Sequence, residues 1–296
     1  MKKKLKRIMI ALLVILLIFI FDYIRINIRY YLTKGKYEVS FKVNGNKDGY
    51  VPQGLTYSNK HNVVLQTSYS KEVSKIFVTD FNSGSLIKEL KLYNKDGNPN
   101  NKHVGGITTN DDIVWISNDY ELDIYSLDEI INTSNDYISA IEEKKIPNRG
   151  DFCYYSDNIL WVGDFYLRPF YDVKNHDPKL YGYLVDGEID FNNPNYSFSL
   201  PKAVQGMVIL PNKEFVFTQS FTYLVNSNLS FYKNILDSKD VKFNKNNKIK
   251  TIKIAPMAEG MFYKDGYIYI LFESSSSKYK MADPKATEII KFKIEE

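Results

Sequence analysis

Five short phrases carry side chains able to bind or titrate, each close to a glycine. "PQGL" holds Gln53, "HVGG" holds His103, "RGDF" holds Arg149 and Asp151, "VQGM" holds Gln205 and "AEGM" holds Glu259. Carboxylates, carboxamides and an imidazole suit a polar small molecule or a hard cation such as calcium. For that ion carboxylate is the strong ligand and carboxamide the weaker, neutral one. On the metal reading Glu259 and Asp151 are the ligands and His103 a candidate general base for hydrolysis of esters, lactones or phosphates. On the bland reading the same polar groups line a water-filled channel.

A second set follows apolar runs. Asp164 comes after "ILWV" and Glu273 after "YIYILF", with Ser68, Asn118 and Ser220 at the matching places. A carboxylate buried there needs a partner or a metal, whereas an ordinary loop carboxylate needs neither. "FESSSSKY" sets four hydroxyls beside Lys278 and Tyr279, which reads either as an anion-binding rim or as a polar turn. Other chemistry is thin. His61, His103 and His176 have no metal-type spacing, and no nucleophile elbow, P-loop or dinucleotide fingerprint occurs. Cys153, the one cysteine, excludes an intrachain disulfide and reads as a packed strand residue.

The elements that would position these groups repeat. Aligned on the opening phrase, Gly54, Gly106, Asp151, Gly206 and Gly260 fall 52, 45, 55 and 54 residues apart. On that alignment Gln53, Gly105, Gly150, Gln205 and Glu259 start the inner strands. Short strands at a period near 50 residues predict a propeller. Each unit has a short first strand, a turn, a strongly apolar second strand ("VVLQTS", "IVWIS", "ILWVGD", "FVFTQS", "YIYILFE"), an alternating third and a charged fourth. Pro147, Pro201 and Pro256 mark the ends of fourth strands, where ladder pairing stops. The last unit ends after "EIIKFKIEE" without a fourth strand, and "YEVSFKV" (38–44) is a strand without a unit. Together they predict an all-β, five-bladed propeller over residues 38–296 with four-stranded blades, closed by its N-terminal strand.

Ahead of it, "MKKKLKR" (1–7) precedes the uncharged run "IMIALLVILLIFIF". The run is short for a full span, but Tyr23 and Ile24 extend it and no small-x-small cleavage site follows, which predicts a transmembrane signal anchor over residues 8–26, basic end inside, with a juxtamembrane linker over 27–37. A cleaved signal peptide is the alternative. The formal charge of +4 belongs to this end, because from residue 37 onward 30 basic side chains face 34 acidic ones. No basic domain remains to suggest nucleic acid as a partner. The expected partners are the membrane and a polar ligand or envelope component, with the propeller outside the cytoplasm and attached to the cell membrane.

The phrases "PQGLTYS", "HVGGITT", "WVGDF", "QGM" and "AEGM" with "LFESSSSKY" resemble a group of secreted or membrane-anchored bacterial propellers over most of residues 50–280. More distantly, the Glu-Gly at the hub resembles the gluconolactonase/SMP-30 and calcium-activated nucleotidase propellers. That likeness implies acidic hub residues around a divalent cation, here Glu259 and Asp151. The expected ligand site is the channel mouth: Gln53, His103, Asp151, Gln205 and Glu259, with Asp164, Glu273, Lys278 and Tyr279 at its rim. A divalent-metal hydrolase and a surface scaffold for other proteins are the competing expectations.

Overall fold

The computed structural model describes residues 2–34, 37–236, 241–282 and 285–294. The chain ends 295–296 and residues 35–36 of the expected linker lie outside them. Helix α1 (Lys2–Lys34) comes first. Its stretch Lys3–Ile24 is long and apolar enough to cross a membrane, and its large apolar side chains are exposed. The helix continues through residues 27–34, which the sequence reading assigned to a linker.

Twenty-one strands follow. The chain starts with β1 (Glu38–Lys42). Blade one is β2 (Val51–Ser58), β3 (Val63–Tyr69), β4 (Lys75–Asp80) and β5 (Leu86–Tyr93). Blade two is β6 (Gly106–Thr109), β7 (Ile113–Asn118), β8 (Glu121–Ser126) and β10 (Glu142–Lys145). Between the last two lie α2 (Leu127–Asn132) and β9 (Tyr137–Ser139). Blade three is β11 (Phe152–Ser156), β12 (Ile159–Gly163), β13 (Lys179–Leu184) and β14 (Tyr196–Ser199). Blade four is β15 (Val204–Ile209), β16 (Phe215–Gln219), β17 (Ser227–Tyr232) and β18 (Lys248–Ile254). Blade five is β19 (Ala258–Lys264), β20 (Tyr267–Phe272) and β21 (Glu288–Lys293), completed at its outer edge by β1. Antiparallel pairing of β1 with β21, with Val39 opposite Ile290, closes the ring as the unpaired strand foretold.

Five buried clusters sit one between each pair of neighbouring blades. Phe77 aside, blade one meets blade two through Leu90, Ile116 and Tyr125, blade three meets four through Trp161 and Phe215, and blade five meets one through Phe41, Leu55 and Tyr269. Because each sheet is covered on both faces, its second strand is buried on both faces and strongly apolar rather than alternating. Val63–Ser68 and Leu160–Gly163 are buried at every position.

At the hub the inner strands pack backbone to backbone. A Cβ on Gly106 would lie 2.3 Å from the Cys153 nitrogen of the next blade, and one on Gly260 2.5 Å from the Leu55 nitrogen. Gly54 and Gly206 meet Ile107 and Gly260 in the same way. This ring corrects the repeat alignment in blade three. Phe152, not Asp151, stands in the glycine position, since Gly106 packs on Phe152 and Cys153 as Gly54 packs on Ile107. The missing space is recovered on the partner strand: Phe152 pairs with Gly163, where a Cβ would lie 2.1 Å from the Phe152 ring. Asp151 therefore takes the place expected for Gly150.

Blade two departs from the pattern. Its third and fourth strands are separated by α2, whose N-cap Ser126 accepts a hydrogen bond from the Glu129 nitrogen at 3.3 Å, and by β9, which pairs in parallel with β5 of blade one. The capping signature "SLDE" was present in the sequence.

Two substitutions test this packing. Gly260→Ala should destabilise the domain by at least ~1–3 kcal/mol, since backbone on the neighbouring blade must move. Phe41→Ala, which empties the closing strand's anchor, should cost about 3–5 kcal/mol. Urea midpoints unchanged from wild type in both variants would contradict the hub and closure described.

Candidate functional site

The residue before each close-packed position points toward the axis. These are Gln53, Gly105, Asp151, Gln205 and Glu259, one per blade. Where Gly105 lacks a side chain, His103 stands instead, its Nδ1 within 3.3 Å of where a Gly105 Cβ would be. Above them one channel mouth opens into a cavity of about 460 Å³, lined by Gln53, His103, Arg149, Asp151, Gln205, Glu273, Lys278 and a set of aromatic rings. A second polar cavity of about 370 Å³, with Thr56, Thr108, Tyr155 and Tyr263 in its wall, lies at the far ends of the inner strands.

Most of the sequence-selected residues converge on the first mouth. Gln53 Nε2 donates to Glu273 Oε1 at 3.2 Å, and the Tyr279 hydroxyl donates to the same oxygen at 2.6 Å. Gln205 Nε2 donates to Glu259 Oε1 at 3.0 Å. Glu259 is buried and lies behind Gln205 rather than in the cavity wall. Asp151 is held from two sides, by the Arg149 guanidinium at 3.2 Å and by the Phe165 nitrogen, which donates to Oδ2 at 2.7 Å.

Asp164 does not line the cavity. Its Oδ1 accepts from the Arg149 and Gly150 nitrogens at 2.7 and 3.3 Å, and its Oδ2 from the Lys179 nitrogen at 3.0 Å. It ties the loop that presents Arg149 and Asp151. The serine run is likewise a turn. Ser274, Ser275 and Ser276 are buried around the 3-10 turn Glu273–Ser275, where Ser275 Oγ donates to the Phe272 carbonyl and Ser276 Oγ accepts from the Lys278 nitrogen. The turn brings Lys278 and Tyr279 back over the channel, with Lys278 Nζ 2.6 Å from the Tyr69 hydroxyl.

The aromatic wall was missed in the sequence. Tyr69, Phe165 and Phe221 each follow the polar residue that ends a second strand, in "TSY", "GDF" and "QSF". Tyr171 sits beneath Arg149, whose guanidinium lies 5.7 Å from the ring centroid. Phe170 and Phe221 stack at 5.4 Å across blades three and four.

Burial decides the ionisation here. It pushes Glu259 well above the usual carboxyl range, reinforced by the charges of Glu273 and Asp151. Glu273 is raised for the same reason, against the opposing Tyr279 hydrogen bond and the Lys278 charge. Asp151 rises to about 7, because burial outweighs the attraction of Arg149. His103 falls to about 4 through burial, with the cations Arg149 and Lys278 adding to the fall, and is neutral at neutral pH.

The metal reading of Glu259 and Asp151 meets this geometry poorly. Arg149 and a backbone donor already satisfy Asp151, and a guanidinium beside it repels a cation. Among the described residues, the acidic group whose oxygens all lie within 4.8 Å of one another is Glu121, Asp123 and Glu143, away from the hub.

No family model matches the chain, and no curated protein matches it by sequence. Among solved structures it is similar to a glutaminyl cyclase of Myxococcus xanthus, at 8% identity over 88% of this chain and 95% of that one, with a TM-score of 0.52. It is also similar to a PQQ-bound aldose sugar dehydrogenase of Streptomyces coelicolor, at 10% identity over 87% and 97%, TM-score 0.52. Hydrazine synthase of Kuenenia stuttgartiensis aligns at 10% identity over 77% of this chain, TM-score 0.42, and the chain spans 57% of that chain's length. At such identities the likeness is one of fold.

The raised carboxyls set a pH dependence. Between about pH 4, where an unfolded Asp titrates, and about 7 the folded chain holds a proton on Asp151 that the unfolded chain has lost. Its contribution to stability is complete below pH 4 and disappears as pH rises through 7. Wild-type urea midpoints should therefore fall from pH 4.5 to 7.5 more steeply than those of Asp151→Asn. A wild-type slope no steeper than the variant's would mean that Asp151 ionises normally.

Proposed function

We propose that the chain is a membrane-anchored, extracytoplasmic propeller that binds a polar small molecule, glycan or cell-envelope component in the cavity at this channel mouth. The observation that carries the reading is the pairing of two kinds of wall. The amides of Gln53 and Gln205, the Glu273 carboxyl and neutral His103 supply donors and acceptors, while Tyr69, Phe165, Tyr171, Phe221 and Tyr279 supply flat apolar faces. A ring-shaped polyol needs both, hydrogen bonds in its plane and stacking on its face. Burial that raises the Glu273 carboxyl favours its protonated form, which can donate as well as accept and so widens what it recognises. The apolar stretch of α1 behind a basic head supports anchoring with the propeller outside.

Hydrolysis is the second reading, favoured by one observation. Asp151 titrating near 7 stands close to the poise of a general acid or base at neutral pH. The aldose-dehydrogenase and glutaminyl-cyclase neighbours lend this only the scaffold they share.

The full-length protein in detergent, screened by thermal shift against neutral, acidic and amino sugars and soluble envelope fragments, tests the reading. A binder at a hundredfold excess over its Kd should stabilise by about 2.7 kcal/mol. Glu273→Ala and Lys278→Ala should abolish that shift, and Tyr263→Ala at the opposite mouth should leave it. A shift that survives both rim variants, or none across the panel, would favour a scaffold for other proteins. For location, protease added to intact cells should digest the propeller, and a protected propeller would overturn an outside placement.

A further inference from the structure

Blade two carries a second group of acidic side chains, outside the channel. Glu121 and Asp123 are two residues apart on β8 and so share a face. Glu143 on β10 stands directly opposite Asp123, and Asn118 on β7 directly opposite Glu121. One oxygen from each of the three acids lies within 4.8 Å of the others. Tyr125, next along that face, packs into the core shared with blade one, so the group lies toward the seam between the two blades. Like charges directly opposite on a sheet destabilise it, as Glu143 and Asp123 would if both were ionised.

Proximity alone does not make a site, but the buried member of the group is incompletely satisfied. Asp123 is wholly buried. Its Oδ2 accepts from Asn100 Nδ2 at 2.6 Å and from Asn118 Nδ2, while Oδ1 takes no hydrogen bond. Asn118 is equally buried, sits against the same carboxylate, and leaves its own Oδ1 without a donor. A carboxylate oxygen with no donor in a protein interior is the condition that a bound cation relieves. The Lys102 ammonium pairs with Glu121 and comes within 3.7 Å of Glu143, and Lys145 stands opposite Glu121 on β10.

We propose that Glu121, Asp123 and Glu143, with the Asn118 amide oxygen, form a divalent-cation site of the calcium class. Carboxylates plus an amide oxygen are the donors that ion prefers, with waters completing its coordination. Turning the Asn118 amide about its last side-chain bond exchanges Nδ2 for Oδ1 and directs an oxygen to the side now facing Asp123. Lys102, about one-third exposed, is the built-in competitor: its ammonium leaves Glu121 as the ion enters. The ion would stitch β7, β8 and β10 together beside blade one, in the blade whose fourth strand is otherwise separated by α2 and β9.

The full-length protein in detergent, stripped with a chelator, is titrated with Ca²⁺ by calorimetry and with Tb³⁺ by sensitised luminescence. One saturable ion per chain is expected. Lys102→Met should tighten binding about tenfold by removing the competing ammonium, a gain that a merely structural salt bridge would not give. Asp123→Asn and Glu143→Gln should weaken it about tenfold or more. Glu143 is less buried than Asp123, its side chain 16% exposed, so its variant keeps the test valid if Asp123→Asn fails to fold. Glu259→Gln should leave the affinity unchanged. Absence of binding in both wild type and Lys102→Met overturns the proposal. So does binding that ignores Asp123→Asn and Glu143→Gln but disappears in Glu259→Gln, which would place the ion on the channel axis.

Discussion

Close approach of backbones at the hub governs the remainder of the molecule. Five inner strands converge on one axis, and neighbouring strands meet where a side chain cannot fit, as Gly106 meets Cys153 and Gly260 meets Leu55. Four blades meet the condition with a glycine on the inner strand. Blade three meets it by exchange, a phenylalanine on the inner strand lying over Gly163 on the second. The condition is steric and local, so it tolerates wide variation elsewhere in the blade provided that one pair of positions keeps its summed volume.

The cavity at the channel mouth follows from that packing. Strands that touch at one residue must direct the preceding residue to the axis, and a polar side chain there is sealed from water on three sides. Gln205 and Gln53 satisfy the oxygens of Glu259 and Glu273, and burial holds these acids toward their neutral forms. The mouth is thus rich in hydrogen-bonding capacity but carries less negative charge than its composition suggests. Arg149 and Lys278, both resting on aromatic rings, supply positive charge beside these acids. On the proposed reading, recognition there joins hydrogen bonding and stacking to these two cations.

Blade two shows how a repeat can depart from the common pattern without losing the ring. Its inner three strands keep the common pairing, while α2 and β9 lengthen the path to the outer strand and β9 borrows an edge from β5 of blade one. The seam so formed is where Asp123, Asn118 and Asn100 lie buried. A polar group in an interblade seam lowers the apolar area available there, a loss that the added β5–β9 pairing offsets.

The sequence by itself determined the ring. Glycines near every fiftieth residue, strongly apolar second strands, one strand left over at the start and one missing at the end admit five blades and one closure, because each follows from local spacing and pairing. It also determined which polar residues start the inner strands, except in blade three, where Asp151 and Phe152 are adjacent and only the contact with Gly106 distinguishes them. What the tertiary structure decided was which of those groups face the same space. Asp164 and Glu273 occupy corresponding strand ends and look alike in the sequence. One takes three backbone hydrogen bonds within its loop, and the other faces the cavity under Tyr279. The aromatic wall depended on the same information, since Tyr69, Phe165 and Phe221 lie about 50 to 100 residues apart and meet only when the blades close. Pairing within a strand or hairpin is written in neighbouring residues. Burial, and with it the protonation of Glu259, Asp151 and His103, is a property of what the rest of the ring places around them.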